Sequence, residues 1–197
     1  MTHSVLGLEK PGISILSPEF LEEIKGVPQK NLAFEVLRKL LNDEIRTVSQ
    51  RNVVQGRSFA DMLEKSIKRY QNKSIKTAQV IEELIELAKQ MREAQRGGEE
   101  LGLSPAELAF YDALETNDSA VQVLGYDTLR TIAHELVDTV RNNVTIDWTL
   151  RENSQALLRV KVKRVLKKFG YPPDMQKKAT ETVLEQAALI CGELAVA

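Results

Sequence analysis

The stretch from Arg57 to Arg96, RSFADMLEKSIKRYQNKSIKTAQVIEELIELAKQMREAQR, contains neither glycine nor proline. Its apolar residues recur every three or four positions, which is the period of one face of an α-helix. Ser58 can cap free backbone N–H groups at the start, and Gly97–Gly98 is typical of a helix end. The stretch therefore predicts one long central helix over about residues 58–96. Its weakest point is the polar segment Gln71–Ser74, where the pattern also allows a kink or a break. The predicted apolar stripe consists of Leu63, Ile67, Tyr70, Ser74, Ala78, Ile81, Leu84, Ala88 and Met91.

Shorter helices are predicted on both sides of this stretch, because capping residues stand before amphipathic segments. Ser17-Pro18-Glu19 and Ser104-Pro105-Ala106-Glu107 combine a capping serine, a proline at the first helical position and an acid. The predicted helices run from Ser17 to Gly26, from Pro28 to about Gln50, from Ser104 to Leu114, from Asn117 to Gly125, from Asp127 to Asn142, from Ser154 to Phe169 and from Pro173 to Glu193.

The pattern predicts an all-α fold in which these helices pack around the long one. Val144–Trp148 alternates briefly, but a single extended piece has no partner strand, so we interpret it as a loop anchored by Trp148. Residues 1–15 are predicted to be a partly irregular tail, and residues 16–197 a single helical domain.

Composition predicts a protein that does not enter a membrane. The chain has 197 residues, 43% of them hydrophobic and 28% charged, which is ordinary for a globular protein. No apolar run approaches the roughly 20 residues of a membrane span, and the start lacks the pattern of a signal peptide. The only cysteine, Cys191, excludes an internal disulfide and fits a reducing cytoplasm. We interpret it as a small apolar residue of a helix rather than a reactive thiol.

Motifs for catalysis are absent from the sequence. A phosphate-binding loop needs glycines followed by Gly-Lys, and the chain has no Gly-Lys pair. His134–Asp138 is the nearest approach to a helical zinc motif, but the second histidine is replaced by aspartate, and the only other histidine is His3. Glu23-Ile24-Lys25 has nuclease spacing, yet only Glu19 precedes it on the same short helix. We therefore expect no catalytic residue, no metal and no cofactor in this chain.

A basic segment is the feature that points to a partner. Residues 151–168 hold seven cations and one acid in a chain whose net charge is -1. At about 100° per residue, Leu158, Val162, Val165 and Phe169 form a narrow apolar stripe. The cations that cover the rest of this helix are Arg159, Lys161, Lys163, Arg164, Lys167 and Lys168.

Three interpretations of this basic surface stay open. An unpaired positive face favours a polyanion, either the phosphates of double-stranded DNA or an acidic protein surface. It is also compatible with a solvated face that acidic stretches such as Glu82–Glu83 and Glu99–Glu100 neutralise. Aromatic residues are not interleaved with the cations, so base stacking and single-strand binding are not supported.

Several ordered segments together resemble one protein family. They are Asn31–Leu41, Arg51–Gln55, Ala78–Ile85, Leu108–Leu114, Val144–Trp148 and Val165–Asp174. In this order they resemble the C-terminal helical domain of the R (restriction, or motor) subunit of type I restriction-modification enzymes. The similarity extends from about Ile13 to Glu193.

The resemblance implies a C-terminal fragment of a larger multidomain polypeptide, an ATP-dependent type I site-specific deoxyribonuclease. ATP, Mg²⁺ and the nuclease residues would belong to its other domains. The family's methyltransferase (M) and specificity (S) subunits are the implied partners, in the cytoplasm. The implied role of this chain is a non-catalytic assembly module that docks the DNA translocase onto the modification core. The alternative is a DNA-contacting module that uses the basic helix.

Overall fold

The computed structural model describes residues 17–143 and 152–196, and this part of the chain is all-α, as predicted. The predictions for the tail 1–15 and for Val144–Trp148 lie outside the described residues. The described part forms α1 (Pro18–Gly26), α2 (Lys30–Arg51), α3 (Val53–Gln71), α4 (Thr77–Glu100), α5 (Pro105–Glu115), α6 (Asp118–Asn143), α7 (Glu152–Lys168) and α8 (Gln176–Val196).

The long central helix predicted over residues 58–96 is two helices, because the chain breaks between α3 and α4 at the polar segment where the sequence also allowed a break. Lys73 adopts a positive φ of 57°, where a glycine is usually needed. Its N–H donates to the carbonyl of Tyr70, and the N–H of Ser74 donates to that of Arg69, so the end of α3 is capped. The break also shifts the apolar stripe: Ile75 is buried, whereas Ser74 and Ala78 are exposed.

The ends of this helical pair also differ from the prediction. Helix α3 begins at Val53, before Ser58, and α4 continues through Gly97 and Gly98 to Glu100. The glycine that ends α4 is Gly102, whose φ is 66°. There the N–H of Leu103 donates to the carbonyl of Gly98. A glycine pair therefore does not stop a helix when both residues keep helical dihedrals.

The capping signals of the shorter helices are confirmed. Ser17 Oγ accepts the N–H of Phe20 at the start of α1. Ser104 and Glu107 form a capping box at the start of α5. The predicted interruption at Gly125 is present as a non-helical residue, with φ 73° and ψ 165°, inside α6.

The described residues divide into two compact units, of which the first combines residues up to Glu44 with Phe59–Gln95. Its core is mainly aliphatic and includes the rings of Phe20, Phe34 and Phe59. The centroids of the Phe34 and Tyr70 rings lie 4.8 Å apart. Arg69 pairs with Glu83 at 2.6 Å, which links α3 to α4. The buried residues include Leu37, Leu41, Leu63, Val80, Ile81, Leu84, Ala88 and Met91.

The second unit combines Ile45–Ser58 with the chain from Arg96 onward. In it α5 packs on α6 and α8, and α7 packs on the same two helices. A continuous core includes Phe110, Leu129, Ile132, Leu136, Val162, Tyr171 and Val183. The hydroxyl of Tyr171 donates to the carbonyl of Leu114 at 3.0 Å, so the polar end of this buried ring is satisfied.

A buried amide joins two helix ends inside this second unit. Gln186 of α8 donates from Nε2 to the carbonyl of Arg51, the last residue of α2. Its Oε1 accepts the N–H of Val53, the first residue of α3. The carbonyl at the end of one helix and the N–H at the start of the next have no partner within their own helices. The Gln186 side chain therefore supplies the hydrogen bonds that these two backbone groups need. Asn52, between the two helices, donates to Asp112 at 2.6 Å.

Candidate partner interface on helix α7

Helix α7 places the basic segment on the surface by burying the predicted apolar stripe. Leu158, Val162 and Val165 are buried, as predicted, and Phe169 packs partly buried beyond the helix end. Leu166 is also buried and widens the stripe beyond the sequence prediction. Gly170, with φ 71°, ends the helix, and the N–H of Tyr171 donates to the carbonyl of Leu166. This cap fixes where the basic helix stops.

Two of the six predicted cations are held by the chain itself. Lys168 Nζ lies 2.8 Å from Glu135 Oε2 of α6 and 5.0 Å from the ring centroid of Phe169. Lys161 Nζ donates to Asn143 Oδ1 at the end of α6. These two side chains therefore connect α7 to α6. Because both ammonium groups already have partners within the chain, they are less available to bind another molecule.

The other four cations, Arg159, Lys163, Arg164 and Lys167, are exposed on α7. Within residues 17–143 and 152–196 they have no hydrogen-bonded or ion-paired partner. The sequence left open that acidic residues of the chain neutralise the basic helix. In the part of the chain that the structure describes, Glu135 neutralises Lys168, whereas the four outward-facing cations are not neutralised in this way. A cluster of unpaired charge of one sign creates a positive potential that attracts an acidic partner.

Sequence reasoning missed two apolar residues on the outward side of α7. Leu157 is 53% exposed and Val160 is 52% exposed. At about 100° per residue, Val160 lies opposite the buried stripe, between Lys163, Arg164 and Lys167. The signal was present in the sequence, since both residues fall outside the stripe that Leu158 and Val162 define. The candidate interface therefore combines two exposed apolar residues with cations beside them and towards the end of the helix.

The pair His134 and Asp138 forms a surface ion-pair cluster with Glu107. His134 Nδ1 lies 2.5 Å from Glu107 Oε1, and His134 Nε2 lies 3.6 Å from Asp138 Oδ2. The hydrogen bond from His134 and those from Ser104 lower the pKa of Glu107 to about 2. The hydrogen bond to Glu107, and then the charge of Asp138, raise the pKa of His134. In the described part of the chain, no three His, Cys, Asp or Glu side chains are grouped to hold a metal ion.

Asp112 is a partly buried acid that contacts the junction of α2 and α3 at Asn52 and Gln55. Its Oδ2 accepts hydrogen bonds from the amides of Asn52 and Gln55, at 2.6 and 2.8 Å. Burial raises the pKa of Asp112 to about 6, and the two amide donors oppose that rise. These two hydrogen bonds connect α5 to the junction of α2 and α3.

A shallow groove lies between α3 and α4 of the first unit. It has a volume of about 340 Å³ and is lined by both signs of charge, including Lys65, Arg69, Glu83 and Glu86. Glu83 uses one oxygen for Arg69, and the other has no hydrogen-bond partner in the described part. Mixed charge in an open groove does not select a class of ligand.

A comparison with protein families identifies the chain. The family described as type I restriction enzyme HindI endonuclease subunit-like, C-terminal, matches residues 3–193. The chain belongs to this family. The resemblance found in the sequence segments is thereby confirmed, and the helical fold is that of the C-terminal region of this type of endonuclease subunit.

Two curated relatives agree with the family. The chain is 38% identical over 189 residues, 95% of its length, to the type I restriction enzyme HindI endonuclease subunit of Haemophilus influenzae. It is 38% identical over 167 residues, 84% of its length, to a protein named for the type I restriction enzyme MjaIXP endonuclease subunit of Methanocaldococcus jannaschii. The chain spans only 18% and 16% of these relatives.

No solved structure matches the chain. None of the described helices combines the length and the apolar character that crossing a membrane requires.

Proposed function

We propose that this chain is the non-catalytic assembly module of a type I restriction endonuclease subunit. In this proposal the module docks an ATP-dependent DNA translocase and nuclease, built by other parts of the polypeptide, onto a core of M and S subunits. Its position in the family supports the proposal, because the matching family is defined by the C-terminal region of the endonuclease subunit. Catalysis, ATP and Mg²⁺ belong to the remainder of the parent polypeptide.

The outward face of α7 is the observation that carries the docking role. Leu157 and Val160 are exposed although the core of the second unit is complete without them. Burying apolar side chains in an interface stabilises a complex by roughly 25 cal/mol per Å² of apolar area. Phosphate contacts gain nothing from such residues, so exposed apolar residues next to unpaired cations favour a protein partner.

The second candidate function is contact with double-stranded DNA through the same helix. The four exposed cations without a partner favour it, because each neutralised phosphate releases counterions. This reading leaves Leu157 and Val160 without a role. DNA contact would make binding fall steeply with salt concentration, whereas docking through apolar residues would not.

Two variants of the parent endonuclease subunit separate these functions. The first, Lys163→Gln/Arg164→Gln/Lys167→Gln, removes three exposed charges and leaves the buried stripe of α7 intact. The second, Leu157→Ser/Val160→Ser, removes the exposed apolar residues and leaves every charge. Assembly with the M and S subunits is measured by mass photometry, and DNA binding of the free subunit is measured by salt titration.

We expect both variants to weaken assembly while the DNA affinity of the free subunit stays the same. If the charge variant weakens DNA binding and flattens its salt dependence, and assembly is normal in both, the DNA-contacting function is correct instead. Normal behaviour of both folded variants in both measurements would contradict the two functions together. Circular dichroism and thermal unfolding check that each variant is folded.

A further inference from the structure

The exposed residues of α7 follow the spacing of a helix-pairing seam. Asn153, Leu157, Val160, Arg164 and Lys167 are separated by four, three, four and three positions, and all five are exposed. This alternation is the a and d pattern of a heptad, with a repeat of about 3.5 residues. We call these five residues the α7 seam. Such a seam is the surface that a second helix covers by placing its side chains between those of the first.

The α7 seam changes along its length from apolar residues to basic residues. Its first half presents Leu157 and Val160, which are each about half exposed. Its second half presents Arg164 and Lys167, whose charges have no partner in the described part of the chain. A complementary helix would carry two apolar residues and then two carboxylates at the same three- and four-residue spacing. Carboxylates opposite Arg164 also permit bidentate pairing with its guanidinium.

We infer that the occupant of the α7 seam is an acidic amphipathic helix of the methyltransferase–specificity core. The inference rests on the proposed docking function and adds the chemistry of the partner surface. It assigns Leu157 and Val160 as the apolar anchors, and Arg164 and Lys167 as the residues that select the partner. In coiled coils, charged residues at and beside the seam set partner choice and orientation in this way.

A second copy of this chain fits the seam poorly. Parallel pairing of two α7 helices sets Arg164 against Arg164 and Lys167 against Lys167, and like charges at such positions repel. Antiparallel pairing that sets Leu157 of one copy against Val160 of the other places Arg164 opposite Asn153, so neither seam cation meets a carboxylate of the seam. The seam itself contains no acid in either arrangement. Charge complementarity therefore favours an acidic partner.

A photo-cross-linker at the centre of the seam tests the inference directly. Val160 is replaced by p-benzoylphenylalanine in the parent endonuclease subunit, which is assembled with its M and S subunits and irradiated. Val160 is half exposed and outside the core, so the replacement leaves the stripe of α7 intact. We expect mass spectrometry to find the adduct on a helix of the core that carries two acids at three- or four-residue spacing beside apolar residues.

Three outcomes would overturn the inference and leave docking itself intact. They are an adduct on a core segment without such acids, an adduct on a second endonuclease subunit, and the lack of any adduct in an assembled complex. An adduct on DNA, with assembly unaffected by the seam variants, would overturn the docking function as well.

Charge reversal provides the second measurement. Arg164→Glu/Lys167→Glu should weaken assembly more than tenfold, because it places acids against acids. Arg159→Glu is the control for a single reversed charge, since Arg159 is exposed on the same helix but outside the seam, and it should change the affinity less than twofold. Because the double variant reverses two charges and the control reverses one, a loss of binding free energy in the ratio of two to one would show a diffuse charge effect and would overturn the inference. Lysine substitutions at the cross-linked acids should restore binding to the double reversal.

Discussion

Ile81 and Lys89 of α4 show how different the consequences of two substitutions in one helix are expected to be. Ile81 is 3% exposed in the core of the first unit, whereas Lys89 is exposed to solvent. Ile81→Ala removes buried atoms and leaves a cavity, which typically costs about 2–5 kcal/mol. Lys89→Ala should stay within about 0.5 kcal/mol. The midpoint of urea unfolding measures both, and equal effects would mean that the assigned buried face is wrong.

The basic residues of α7 differ in whether they have a partner within the chain, and residue type alone does not predict this difference. All the lysines of this helix have the same side chain. Nevertheless Lys168 contacts Glu135 of α6 and Lys161 contacts Asn143 of α6, whereas Lys163 and Lys167 have no such contact among the described residues. The predicted set of six is therefore reduced to four available cations. Their use by a partner stays a proposal.

At the scale of the helix, Gly170 and Gly97 are expected to respond oppositely to alanine. Gly170 has φ 71° and nothing within 4 Å of an added Cβ, so Gly170→Ala costs only the left-handed strain, roughly 1–2 kcal/mol. Gly97 lies inside α4 with similarly open space, so Gly97→Ala should stabilise by about 0.5–1 kcal/mol. Urea unfolding of the two variants checks the sign. Destabilisation by both would indicate that α4 does not continue through Gly97.

The ion pair between Glu107 of α5 and His134 of α6 should make the stability of the protein depend on pH. The pKa of His134 is raised, so its contribution to stability is complete below pH 6.5 and is lost as the pH rises through the raised value. The pKa of Glu107 is lowered from 4.5 to about 2, so its contribution is complete above pH 4.5 and is lost as the pH falls towards 2. The pair should therefore stabilise most between pH 4.5 and 6.5.

His134→Gln tests this pH window. The difference in Tm between the original protein and the variant should be largest between pH 4.5 and 6.5 and should shrink on both sides. Thr131→Ala, an exposed change on the same helix, serves as the control whose difference should not follow this profile. A difference that is constant from pH 3 to 9 would contradict the ion pair.

At the scale of the whole molecule, we expect the isolated chain neither to hydrolyse ATP nor to cleave DNA with Mg²⁺. The chain has no Gly-Lys pair for a phosphate-binding loop. A metal-dependent nuclease also needs carboxylates that converge on a hydrated cation, and the described residues contain no such group. Phosphate release and plasmid cleavage by highly purified protein measure both activities. DNA-stimulated ATP turnover that follows the protein through purification would contradict the expectation.

Much of this protein is determined by local sequence. Ser17, Ser104 and Gly170 start or end helices because capping and left-handed turns depend on residues only a few positions apart. The burial of Leu158, Val162 and Val165 followed from periodicity alone. The family, too, was recognisable from ordered segments of the chain.

Tertiary structure decided what periodicity could not. An unbroken helix and two helices joined by a short polar turn carry nearly the same apolar pattern, and Lys73 took the left-handed conformation that usually marks a glycine. The partners of Lys161 and Lys168 lie 18 and 33 positions away, so only packing of α7 on α6 brings them together. The same packing leaves Leu157 and Val160 outside the core, because α6 and α8 cover the other side of α7. Sequence thus specified the basic helix, and the fold decided which of its residues face outward.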